Sequence, residues 1–416
     1  MLRARRTRYQ PTVNGAGPER PGLRTWGGPF RAAIILLLVG LFARPASLDS
    51  IPSRVDGQEI SNIYGWWAAI YSNWPFVPSQ SSVWPVPSLS TPSSWDAPAP
   101  QSPAQIRLSA AQLTAYGSAV DILEFNPNPD YQDFVLWKQG YFSQLDQLGR
   151  AFILGYEHIN GTRMHPLAAL GKKGTLQFDM SDPFNRAQFT QDVDFMFQQV
   201  IVPYLNYYVT MNGRAVIYLW NTENMLGDFG GLLNEIKARY PIAFIGSETH
   251  KPDETDPAAM GRLDAMDGFM AYSVLDPDNE GDYGRAMNEQ YWSSVVFRDF
   301  LRAYEAAHPG KYRLFIPTFQ AAFDDSHYPG RTDADGKPLT VPMYPQSRED
   351  LYGAAQALQT SVAQEHVYDS YGPMVVYNEL FEGAAVIESQ PYAAPSAQYH
   401  GFGLDRLSVV KQFFAP

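Results

Sequence analysis

Short apolar runs rich in β-branched and aromatic residues recur along the chain at 63–71, 119–125, 151–156, 215–220, 242–246, 268–273, 313–319 and 373–377. Each has the length and composition of a buried strand, and there are eight of them. Between them lie stretches of helical period, with Val193, Phe197, Val200 and Tyr204 on one stripe. Val296, Phe300, Ala303 and Tyr304 form a second stripe, and Leu351, Ala355, Leu358 and Val362 a third. A last helix over 404–414 comes after the eighth run, where a closed α/β barrel needs an outer helix. The alternation predicts an α/β fold, specifically a single-domain (β/α)8 TIM barrel. No Gly-x-Gly-x-x-Gly follows the first run, so a dinucleotide-binding doubly wound sheet has no support.

Two segments stand outside this alternation. An Arg-rich leader precedes an apolar run at 32–43, too short for a comfortable membrane span and suited to the core of a signal peptide, with Ala43, Ala46 and Ser47 as small residues for cleavage. Residues 1–47 are therefore read as a signal peptide or a short uncleaved anchor, with the barrel domain over 48–416. Either reading puts the body outside the cytoplasm, secreted or anchored, with membrane contact only through this segment. The stretch at about 77–104 is crowded with Pro and Ser and cannot be helix or central strand. Trp84 and Trp95 within it favour a loop lying over the domain surface, with a flexible insertion as the alternative.

A net charge of −12 argues against a nucleic-acid partner, whose affinity would be built from Lys and Arg. The absence of cysteine removes thiol nucleophiles, disulfides and thiolate metal sites together. No Gly-x-Ser-x-Gly elbow is present, and His158, Asp324, Asp325 and His327 lack a recognisable metal-ligand spacing. The segment 276–282 is acidic, but Pro277 and the missing downstream Glu spoil it as a calcium loop. Neither a metal nor an organic cofactor is expected.

In a (β/α)8 barrel chemistry sits at the carboxyl ends of strands, and here those ends are polar. The runs lead into Asn126, into Glu157 and His158, into Asn221 and Glu223, into Glu248 and His250, to Tyr272, into Asp324 and Asp325, and into Asn378, Glu379 and Glu382. Glu379 and Glu382 stand three apart just after a wholly apolar run. A turn of helical sense would bring their β-carbons within about 5–6 Å. Glycoside cleavage needs one carboxyl protonated and one ionised, and a close pair suits retention of configuration. Surface acids at a helix start are the alternative reading. Tyr64, Trp66, Trp67, Tyr71 and Trp74 could supply aromatic sugar platforms, although alternation lets only one of Trp66 and Trp67 face the barrel interior.

These segments, taken in order, resemble glycoside hydrolase family 99, the endo-α-mannosidase and endo-α-mannanase family. Asn378-Glu379-Leu380-Phe381-Glu382-Gly383 resembles its Asn-Glu-Trp-His-Glu-Gly motif, with Leu380-Phe381 in place of Trp-His. Phe315-Ile316-Pro317 with Phe323-Asp324-Asp325-Ser326 resembles its Phe-Ile-Pro strand and Asp-containing loop. Asp267-Gly268-Phe269 leading to Tyr272 and Tyr156-Glu157-His158 with Gly161 and Arg163 resemble two further family segments. The resemblance implies an enzyme, a retaining glycosidase acting on α-linked glycan, with Glu382 as general acid/base and Glu379 as base on the sugar 2-hydroxyl. It implies Glu157 in the cleaved subsite and Tyr272 supporting the Glu379 side of the site, with Asn378, Asp325, Tyr156 and Arg163 as further substrate contacts; the aromatic reading adds Tyr64 and Trp66. Two alternatives remain: a related barrel domain in cell-surface polysaccharide biosynthesis, and a non-catalytic carbohydrate-binding barrel.

Overall fold

The computed structural model describes residues 54–60, 67–71, 107, 110, 111, 113–127, 131, 134, 138–158, 162–170, 176–248, 251–270, 283–311, 313–321, 345, 347–364, 374–377 and 405–414. Contacts divide the chain into two units, Met1–Ser50 and Ile51–Pro416, and all described residues lie in the second. The leader and the Pro/Ser-rich stretch at 77–104 lie outside them. Among the described residues no helix is long and apolar enough to cross a membrane.

In chain order the strands are β1 (Gln58–Glu59), β2 (Trp67–Tyr71), β3 (Ser118–Phe125), β4 (Ala151–Tyr156), β5 (Pro166–Leu170), β6 (Leu176–Asp179), β7 (Val209–Met211), β8 (Arg214–Leu219), β9 (Met225–Leu226), β10 (Ile242–Gly246), β11 (Gly268–Met270), β12 (Leu314–Ile316), β13 (Thr318–Gln320) and β14 (Met374–Tyr377). The principal helices are α1 (Pro183–Met196), α2 (Phe229–Arg239), α3 (Pro257–Ala265), α4 (Tyr283–Ala307), α5 (Arg348–Gln364) and α6 (Asp405–Phe414).

One curled parallel sheet carries the architecture, in the order β12-β11-β10-β8-β4-β3-β2-β14-β13. Its two ends, β12 and β13, are separated in the chain by Pro317 alone, whose missing N–H interrupts the ladder. Fully buried strands such as Ile242–Gly246 need cover on both faces, as parallel sheets have. Helices supply it on the convex side. There Phe152, Leu154, Tyr156, Leu219 and Phe244 pack with Phe189 and Val193 of α1 and Leu232 and Leu233 of α2. The alternate residues Val120, Ile122, Ile153, Val216, Ile245, Leu314 and Ile316 form a second, separate core on the concave face.

Helix starts obey capping chemistry. Asp182 accepts from the Phe184 N–H at 2.8 Å ahead of Pro183, and Asp256 accepts from the Ala258 N–H at 2.9 Å ahead of Pro257. The third stripe read from the sequence falls in α5 and the second in α4, while the first runs through α1 and the π-helical turn Phe197–Ile201 and leaves Tyr204 in the turn beyond.

Two small features were not expected. Thr210 and Met211 of β7 pair antiparallel with β8 through Asn212-Gly213, both at positive φ (56° and 70°), a two-residue hairpin turn for which Asn-Gly is well suited. β1 pairs with β7 and brings Ile60 into the concave core beside Val209 and Met211, so the amino-end side of that face is filled. The space left among Ile60, Ile122, Ile153, Val216, Tyr218 and Ile316 is about 10 Å³, room for at most one water. The other feature is a small sheet, β5-β6-β9.

Candidate functional site

The two faces of each strand decide which residues at the carboxyl ends can share a site. Parity with Val120 and Ile122 puts Glu124 and Asn126 on the concave side, and parity with Ile153 puts Gly155 and Glu157 there. Tyr218 lies in the concave core and Trp220 packs against it. Ladder register sets Glu124 beside Gly155, Gly155 beside Tyr218, and Tyr218 beside Ile245. A β-carbon at position 155 would meet Ile122 Cγ2 at 3.2 Å and Tyr218 Cδ1 at 3.3 Å, so glycine there admits the Tyr218 ring. Thr318 and Gln320 of β13, both buried, alternate with the convex Phe319.

These groups form a polar rim above an apolar floor. Burial raises the Tyr218 phenol well above its ordinary range; Ser247 lowers it in part, and the Glu124 charge adds to the rise. Ser247 lies beside the Tyr218 hydroxyl but outside hydrogen-bonding geometry. Glu157 is half-buried, and its N–H donates to the Phe125 carbonyl at 3.0 Å, tying the ends of β3 and β4. Asn126 is buried with its Oδ1 unpartnered. Asn221, at the end of β8, holds φ +50°, a left-handed conformation that Asn tolerates better than most residues. Such strain gathers at functional sites.

Several sequence-predicted residues have other tasks. Tyr156, expected among the substrate contacts, is fully buried on the convex side, where its hydroxyl donates to Asp192 Oδ2 at 2.9 Å. Strand alternation turns it away from Glu157, its neighbour in sequence. Arg163 is exposed, with its guanidinium carbon 5.9 Å from the centre of the Tyr131 ring. Glu248 is buried and paired with Arg262 Nε at 3.0 Å; burial raises its pKa and Arg262 opposes that. His158 is fully buried, edge-on to Phe178 at 5.2 Å, with neither ring nitrogen hydrogen-bonded. Burial lowers its pKa to about 3, offset only in part by the Trp220 backbone, so it is neutral. Among the described residues no group of His, Asp and Glu is arranged to hold a metal.

Glu379, Glu382, Asn378, Tyr272, Asp325, Tyr64 and Trp66 lie outside the described residues. Sequence reasoning missed Glu124, because it stands inside its apolar run and not in the polar residues beyond the end. The signal was present: a carboxylate in an apolar strand, at the parity of the concave core, one step from its carboxyl end.

The sequence matches no protein-family model and no curated protein sequence. Similarity appears in solved structures. A family 5 mannosidase from Rhizomucor miehei has 11% identity and a TM-score of 0.45 over 88% of this chain and 93% of the other. The family 99 endo-α-mannosidase of Bacteroides thetaiotaomicron has 14% identity and a TM-score of 0.46 over 84% of this chain and 97% of the other. The same enzyme in complex with Bis-Tris propane aligns over the same shares at 14% identity and a TM-score of 0.50, so the chain has a glycoside hydrolase fold that resembles family 99.

Proposed function

We propose that the chain is an exported, retaining glycoside hydrolase that cleaves α-linked glycan in the manner of an endo-α-mannosidase. The observation that carries this reading is the polar rim of Glu124, Asn126, Glu157 and Trp220, at the carboxyl ends of adjacent parallel strands in a fold like that of a family 99 enzyme. The eight parallel segments are read as a complete (β/α)8 barrel, because the two ends of the pairing path flank a single proline.

In this reading Glu379 takes the proton of the sugar 2-hydroxyl as its oxygen attacks the anomeric carbon, and Glu382 protonates the leaving oxygen as the glycosidic bond breaks. Water deprotonated by Glu382 then opens the resulting 1,2-anhydro sugar, while Glu379 returns the proton to the 2-oxygen. Glu157 holds the sugar that is cleaved, Tyr272 supports the Glu379 side of the site, and Trp220 offers an aromatic face at the end of the strand next to that of Glu157. Neutral rim groups such as Asn126 suit hydroxyls better than phosphates. The apolar run at 32–43 directs export and leaves the body outside the cytoplasm.

The test is turnover of α-mannan and other α-glycans by the purified protein, with the product anomer read by NMR. Retention is expected, and Glu382→Gln should lower kcat about 100-fold or more. An inverted product, or full activity in Glu382→Gln, overturns the assignment.

A further inference from the structure

Directly behind Glu157, on the convex side, one carboxylate is ringed by donors. Asp192 of α1 is fully buried. Its Oδ1 accepts from the Tyr131 hydroxyl at 2.8 Å and from Gln188 Nε2 at 2.9 Å, and its Oδ2 accepts from the Tyr156 hydroxyl at 2.9 Å. Tyr156 is the last residue of β4 and immediately precedes Glu157. Tyr131 belongs to the segment after β3 and Arg163 to the segment after β4. These segments leave the two adjacent strand ends that carry Asn126 and Glu157.

The surroundings hold Tyr131 firmly. Its ring stacks on Phe195 of α1 at 3.8 Å and 14°, and its backbone sits at φ +48°, which a residue with a β-carbon adopts only when its contacts require it. The Arg163 guanidinium lies over the same ring, 5.9 Å from its centre.

We propose that Asp192 is a positioning residue for the candidate sugar site, joining the strand end that bears Glu157 to the segment after β3 and holding Arg163 beside both. The inference rests on the glycosidase reading. Burial pushes the Asp192 carboxyl up to about 6, against the lowering effect of its hydrogen bonds from Tyr131, Tyr156 and Gln188 and of the Arg163 charge. Tyr131, Tyr156 and Arg163 are the titratable or charged groups that face it from neighbouring elements. Acidification through that value puts a proton where a phenol should donate, so the connection weakens on the acid side.

The experiment compares wild type, Asp192→Asn and Tyr156→Phe by thermal midpoint, by kcat and KM on α-mannan oligosaccharides from pH 4.5 to 8, and by hydrogen exchange at pH 7. Asp192→Asn should lower kcat/KM about tenfold or more, with the loss in kcat, and should move the acid limb near pH 6. Tyr156→Phe should lose less and keep the limb; it carries the test if Asp192→Asn does not fold. Unchanged kcat/KM and an unchanged limb in a folded Asp192→Asn overturn the proposal, as does a lowered thermal midpoint with kinetics intact. If wild type turns over no α-glycan, the glycosidase reading fails separately and exchange decides. Faster exchange of the Glu157 amide in Asp192→Asn, with α6 unchanged, supports the connection, and equal exchange overturns it.

Discussion

Replacing His158 with phenylalanine removes a buried base from an apolar cage and leaves a larger ring in its place, a packing cost that does not depend on pH. The imidazole has an ordinary pKa of 6.5 and a folded value of about 3, set first by burial. Between those values the unfolded chain holds a proton that the folded one refuses. Its contribution is present above pH 6.5 and is lost as pH falls toward 3, at ~1.4 kcal/mol per unit and at most ~5 kcal/mol in all. Asp192 runs the other way: its folded value is raised to about 6 from 3.8, so its contribution is present below 3.8 and is lost as pH rises through 6. Between pH 4 and 6 the two slopes oppose each other in the wild type. His158→Phe therefore exposes the Asp192 slope, and its stability relative to wild type should grow by ~1.4 kcal/mol for each unit from pH 6 to 4. The packing cost of the larger ring, about 1–3 kcal/mol, opposes the gain from removing the buried ring nitrogens, and neither depends on pH. Urea unfolding followed by tryptophan fluorescence at pH 4, 5, 6 and 7 measures the difference directly. A difference that does not change with pH refutes the reasoning.

The buried pair Arg150 and Asp121 gives a second stability test, since both side chains are fully buried and the guanidinium also reaches Ser118 and Thr114. Arg150→Met should cost ~3–5 kcal/mol in urea unfolding by stranding the carboxylate, and adding Asp121→Leu should recover most of it. Glu124→Gln keeps the shape of the concave rim and removes a charge. It should lower kcat/KM on α-mannan oligosaccharides ~10–100-fold, the equivalent of ~1.5–3 kcal/mol for a hydrogen bond to a charged group, with little change in thermal midpoint. An unaltered kcat/KM would remove Glu124 from the site.

The parallel sheet was legible because a strand covered on both faces reads as an unbroken apolar run. Ala151–Tyr156 and Ile242–Gly246 match their predicted bounds, and the run at 313–319 shifts by one residue around Pro317. Short elements were not legible in this way. β1 and β9 have two residues each, and β7 was missed although Asn212-Gly213 announces its turn in the sequence. At the site, position after a strand pointed to Asn126 and Glu157, which alternation puts on the concave side. It could not tell that Tyr156, one step earlier, faces the opposite way toward a helix. Nor could it show that Glu248 is already neutralised by Arg262, fourteen residues on. Partnership across that distance depends on how α3 packs, which local pattern does not contain.

The ladder between β2 and β14 sets Trp67 against Met374, so the first long strand finds this neighbour only when most of the chain exists. At ribosomal rates of ~5–20 residues per second, that edge of β2 waits on the order of tens of seconds. During the wait it offers a row of unpaired amides and carbonyls to any passing strand. The sheet's curl thus makes the interval before its last strand arrives the most hazardous period for the newborn chain. A factor that shields residues 67–71 should raise the yield of folded protein more than one acting on β14.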